Sequence, residues 1–67
     1  MVAVAIALKL MGAHVGSGKV ANINDIRNAA GLNTGDALAQ KMIKAGYLRQ
    51  FGRDEYALTP AGLELGA

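Results

Sequence analysis

The side chains able to engage a polyanion stand mostly between residues 27 and 53: Arg27, Asn28, Thr34, Gln40, Lys41, Lys44, Arg49 and Arg53. Gln40 carries an amide that both donates and accepts, the pattern that reads adenine, and a lysine can neutralise phosphate or approach guanine. Gln40 and Lys44 are four apart and Lys41 lies between them, so a helix would show all three on one side. With Lys19, these cations supply about five phosphate contacts, enough for weak binding that a dimer would double. Asp36, Asp54 and Glu55 work against them.

Other chemistries fit poorly. Residues 13–20, AHVGSGKV, approach a phosphate-binding loop. That loop needs a first glycine where Ala13 stands and a magnesium-ligating Ser or Thr where Val20 stands. The stretch reads as a connector, and His14 as a solvated loop residue. One histidine and no cysteine make no metal site. No nucleophile stands beside a base, and Asp54-Glu55 reads as a solvated turn, so neither an enzyme nor a cofactor is expected.

The elements that must position the basic residues follow from periodicity. Leu38, Ala39, Met42 and Ile43 give residues 33–45 one apolar side, and Gly46 is a helix stop. Residues 48–58 alternate about Gly52-Arg53-Asp54, which predicts a β-hairpin. Thr59-Pro60 starts a last helix, with the hydroxyl as cap and proline at its first position. Upstream, Asn22 with Asp25 and Asn33 with Asp36 repeat one capping spacing, predicting two helices joined at Gly31-Leu32. Ile23, Ile26, Ala30 and Leu32 are the expected buried side of that pair. Val20-Ala21 can form a short strand against the hairpin.

The first helix, from Val2 to about Ala13, is apolar nearly all round. Val2, Ile6 and Leu10 share one side, and Val4, Leu8 and Met11 another. A small core buries one stripe of a helix. Either neighbouring elements cover both, or the Val4, Leu8, Met11 stripe is a homodimer or partner interface. A membrane-surface helix would carry more Lys and Arg.

Helix, Gly-Tyr-Leu, hairpin and Leu-Thr-Pro-x-Gly-Leu together resemble the C-terminal half of a winged helix-turn-helix domain, especially MarR-type and related prokaryotic and archaeal regulators. Tyr56, Leu58, Thr59 and Gly62 meet the YxLTxxG rhythm, and the resemblance spans about three quarters of the chain. It implies an α+β, mainly helical fold in the order helix, short strand, helix, helix, strand, strand, helix. By the same resemblance, residues 33–45 are the recognition helix in the major groove and residues 48–58 the wing. DNA contacts then fall to Thr34, Gln40, Lys41, Lys44, Arg49 and Arg53, with Arg27 and Asn28 touching phosphate.

Length and composition bound these expectations. The 67 residues make a single domain, 1–67, with a net charge of only +2. A chain this short buries about 60% of its unfolded surface, so its stability margin is thin. Aromatic residues are few, and the core must be mainly Ala, Leu, Ile and Val. The N-terminal stretch lacks a basic leader and is broken by Lys9, which points to a cytoplasmic protein rather than an exported one. Double-stranded DNA is the expected partner and a transcription-regulator role the expected function. The alternative is a docking module for RNA or protein in a larger assembly, ribosome- or polymerase-associated or viral.

Overall fold

The computed structural model describes residues 1–67 throughout. Four helices and one hairpin follow in the order α1 (Val2–Met11), α2 (Ile23–Ala30), α3 (Gly35–Ala45), β1 (Leu48–Gly52), β2 (Glu55–Leu58) and α4 (Pro60–Leu65). The fold is α+β and mainly helical. No helix is long and apolar enough to cross a membrane.

α1 ends at Met11, two residues short of the expected bound near Ala13; the Gly12 N–H donates to the Lys9 carbonyl and the Ala13 N–H to the Leu8 carbonyl. Its two stripes sort opposite to the expected interface. Val4 and Leu8 are fully buried beside Ala5, while Met11 is 40% exposed and Val2, Ile6 and Leu10 are bare. Val4 and Leu8 are therefore core residues and cannot present a docking face. The reason is position: α2, β2 and α4 all pack on the Val4 side of α1.

α2 starts as the spacing predicts. The Asn22 side chain accepts from the Asp25 N–H at 3.0 Å, and Asp25 accepts from the Asn22 N–H at 2.9 Å. α3 starts differently. Its N-cap is Thr34 rather than Asn33, and no side chain caps it. The Thr34 hydroxyl instead donates back to the Ala30 carbonyl, and Asp36 turns away to Arg27. Leu32, expected inside the corner, is 78% exposed because the turn from Gly31 to Thr34 carries it outward. Gly35 is buried there, and a Cβ on it would stand 2.8 Å from the Arg27 Cα. The two helices approach this closely only because residue 35 has no side chain.

Gly46 closes α3 at φ 83°, a left-handed conformation that costs glycine little. β1 and β2 pair antiparallel in the register Leu48↔Leu58, Arg49↔Ala57, Gln50↔Tyr56 and Gly52↔Glu55, with a bulge between Gln50 and Gly52. Leu48, Tyr56 and Leu58 face the core, so Arg49 and Ala57 face away. The outer edge of β2 is also paired. Ala21 exchanges two hydrogen bonds with Tyr56, at 2.7 and 2.8 Å, which is all that forms of the expected Val20-Ala21 strand. The Val15 N–H donates to Leu58 at 2.8 Å and the Leu58 N–H to Ala13 at 2.9 Å. His14 is therefore half-buried in a parallel bridge, not a solvated loop residue.

α4 is capped by Thr59, which accepts from the Gly62 N–H at 3.2 Å and donates to the Gly46 carbonyl. Any Cβ on Gly62 would collide with the Tyr47 carbonyl oxygen. Leu8, Ile26, Met42, Leu58 and Val4 are the largest fully buried side chains. Four alanines (Ala5, Ala13, Ala21 and Ala39) fill the gaps between them, as the composition requires.

Candidate nucleic-acid interface

α3 buries Gly35, Ala39 and Met42, and half-buries Leu38 and Ile43. At 3.6 residues per turn this leaves Asp36, Ala37, Gln40, Lys41 and Lys44 on one continuous exposed side. The hairpin stands beside that side. Between them lies a cleft of about 430 Å³, lined by Ile23, Arg27, Asp36, Gln40, Arg53, Asp54 and Tyr56. Gln40 of α3, Arg53 at the hairpin tip and Arg27 of α2 thus meet around one depression. Lys41 and Lys44 continue outward from Gln40 on α3.

Two contacts hold the walls of this cleft in place. The Arg27 guanidinium donates to both Asp36 oxygens, from Nε at 2.7 Å and from a terminal nitrogen at 2.8 Å. This two-point clamp fixes α2 against α3 in the planar geometry that suits arginine and a carboxylate. Its hydrogen bonds hold the Asp36 carboxyl below the usual carboxylate range and raise the arginine above its own. The second contact is Asp54, whose Oδ1 accepts from the Ile23 N–H at 2.7 Å. An acid on the hairpin turn therefore occupies the positive end of α2 and pins the tip to the helix pair. Within the turn, the Gln50 amide donates to the Arg53 carbonyl at 3.0 Å.

The residues expected to contact DNA divide accordingly. Gln40 and Arg53 line the cleft, with Lys41 and Lys44 exposed beside them. Arg27 is there too, but its charge is taken up by Asp36, so it is a clamp rather than an available phosphate ligand. The same pairing removes the electrostatic cost expected of Asp36. Thr34 is exposed with its hydroxyl proton committed to Ala30. Asn28 lies on the solvent side of α2 with Asn24, outside the cleft lining. Arg49 is placed elsewhere. It points from the far face of the hairpin, and its guanidinium sits 5.1 Å from the centre of the Phe51 ring.

Asp54 and Tyr56 were not foreseen as parts of this site, and Asp54 is not the merely solvated turn acid expected of it. One signal pointed to Asp54. The first N–H groups of a helix need acceptors, and the Asn22–Asp25 pair leaves that of Ile23 open. The sequence shows an open donor without showing which distant acid fills it.

No three His, Cys, Asp or Glu side chains gather as a ligand set. No protein-family model, curated protein or solved structure matches this chain. The arrangement itself offers hydrogen bonding and cationic attraction on a convex helix flanked by a hairpin tip. It suits recognition of an extended anionic surface.

Proposed function

We propose that the chain is a winged helix-turn-helix domain that binds double-stranded DNA and acts as a transcription regulator. The observation that carries the reading is the shared cleft: Gln40 on α3 and Arg53 on the hairpin tip line it together, and Lys41 and Lys44 extend the same side of α3. The order of elements supports it, with Ala21 standing for the short strand before α2. In this reading α3 enters the major groove, which is wide enough for a helix, and Gln40 offers its amide to a base edge. Lys41 and Lys44 meet phosphates on one side and Arg53 the backbone on the other. The Arg27–Asp36 clamp and the Asp54 pin set the angle between helix and tip.

The test is titration of a short fluorescent duplex with the protein at about 50 mM salt, by anisotropy. Binding in the micromolar range is expected, weakening at least tenfold when Lys41 and Lys44 are both replaced by alanine. No binding at that salt, or binding indifferent to the double replacement, contradicts the reading.

A further inference from the structure

A second cleft, of about 280 Å³, lies between the loop of residues 14–20 and the hairpin, lined by His14, Gly16, Gly18, Lys19, Val20 and Phe51. It shares no lining residue with the cleft of Gln40 and Arg53. The loop leaves the edge of β2 beside Leu58 and returns to it beside Tyr56, so backbone pairing holds both its ends. Within it, the Ser17 hydroxyl accepts from the Lys19 N–H at 3.1 Å and donates to the Lys19 carbonyl at 3.3 Å. The cleft is therefore built in advance of any ligand.

Its two walls differ in chemistry. The loop wall carries one ammonium, one imidazole and no acid, whereas the first cleft contains Asp36 and Asp54. Lys19 pairs with no carboxylate, since the one ion pair of the chain is Arg27–Asp36. The N–H groups of Gly16, Gly18 and Val20 donate to nothing in the chain. His14 Nδ1 lies 3.3 Å from the Val15 carbonyl, which only accepts, so Nε2 is the nitrogen left for a ligand. The hairpin wall is Phe51, 50% exposed. Arg49 covers this ring at 5.1 Å without joining the lining, so the cleft meets the rest of the ring.

We propose that this cleft binds a mononucleotide, its base against Phe51 and its phosphate on Lys19 and the loop N–H groups. Unpaired N–H groups of a glycine turn, with a lysine beside them, suit an anion. A phosphate brings three terminal oxygens to that donor set, one more than a carboxylate. A base brings a flat π surface that stacks on an aromatic side chain. The volume sets the size: it stands at the lower end of small-ligand sites, about 300–1,000 Å³, which suits one nucleotide and not a duplex. The proposal does not rest on the DNA reading, because the two clefts have no residue in common.

Amide NMR of the labelled chain, titrated with adenosine 5′-monophosphate to about 10 mM, tests it. The Gly16, Gly18, Val20 and Phe51 signals should shift together, with a dissociation constant of about 0.1–1 mM for so small a site. Adenosine alone and inorganic phosphate alone should each bind at least about tenfold more weakly, since each uses one wall. Phe51→Ala should weaken the nucleotide at least about fivefold, as loss of a stacking ring does. Lys19→Ala should weaken it by a similar factor, and Lys44→Ala not at all. Both side chains are exposed, so the remaining amide signals should show an intact fold. Duplex affinity should survive Phe51→Ala, which separates this site from the α3 side. No shifts at 10 mM, or shifts confined to the Gln40–Lys44 side, overturn the proposal. Binding indifferent to Phe51→Ala, or inorganic phosphate binding as tightly as the nucleotide, overturns it as well.

Discussion

α1 and α3 are helices of 10 and 11 residues, each closed by a left-handed glycine and each giving one side to the same core. Their outer sides are opposites. α1 shows solvent Val2, Ile6 and Leu10, while α3 shows Gln40, Lys41 and Lys44. Folding of this domain constrains the inner side of each helix and says little about the outer one. The outer sides differ in chemistry: apolar on one flank, polar and cationic on the other.

The largest expected effect separates inner from outer on one helix. Leu8→Ala should destabilise the domain by about 2–5 kcal/mol, because it empties a fully buried position. Leu10→Ala, two residues on and 84% exposed, should stay within about 0.5 kcal/mol at concentrations where the chain is monomeric. Thermal or urea unfolding of the two side by side checks this. Equal losses would mean that both stripes of α1 belong to the core, and the contrast with α3 would disappear.

A smaller effect probes how the α3 flank is assembled. Asp54→Ala removes the acceptor for the Ile23 N–H and should cost about 1 kcal/mol, as the loss of a helix cap does. Hydrogen exchange at the Ile23 amide should accelerate, and duplex affinity should fall although an acid has been removed. Tighter binding after that removal would show that Asp54 only repels DNA and pins nothing.

These contrasts bear on how far the sequence could be read. The four helices, the hairpin, the Asn22–Asp25 cap, the Gly46 stop and the Thr59-Pro60 start all follow from local chemistry, and the structure contains each of them, whereas the expected Val20-Ala21 strand is reduced to one bridge. What escaped was non-local. Both stripes of α1 are apolar, so periodicity could not say which one α2, β2 and α4 would cover. Asn33 and Asp36 have the spacing of a cap, but Arg27, nine residues upstream of Asp36, competes for the carboxylate and wins with two hydrogen bonds. Of the candidate contacts, Gln40, Lys41, Lys44 and Arg53 were legible as one side of a helix plus a turn tip. The diversion of Arg27 and Arg49 needed the register of the hairpin and the approach of α2 to α3.

Acid should reveal the Arg27–Asp36 clamp on a finer scale. The Asp36 carboxyl is lowered in the folded state, so the stability it contributes is full above its unfolded value, near pH 4, and is lost as pH falls below that. Wild type should therefore exceed Asp36→Asn in thermal midpoint at pH 6–7, by a small and salt-sensitive margin because the pair is part-exposed. The two should converge on acidification below about pH 4. A gap that persists unchanged in acid would mean that Asp36 acts without its charge.

The central claim is that the α3 side and the hairpin tip face one duplex together, while Arg49 faces elsewhere. The most direct measurement is the salt dependence of duplex affinity for wild type, Lys41→Ala, Arg53→Ala and Arg49→Ala. Lys41→Ala and Arg53→Ala should each reduce the slope of log affinity against log salt by about 0.9, and their combination by about 1.8. Arg49→Ala should leave the slope as in wild type. A slope unmoved by Lys41→Ala and Arg53→Ala, or moved as much by Arg49→Ala, would contradict the account.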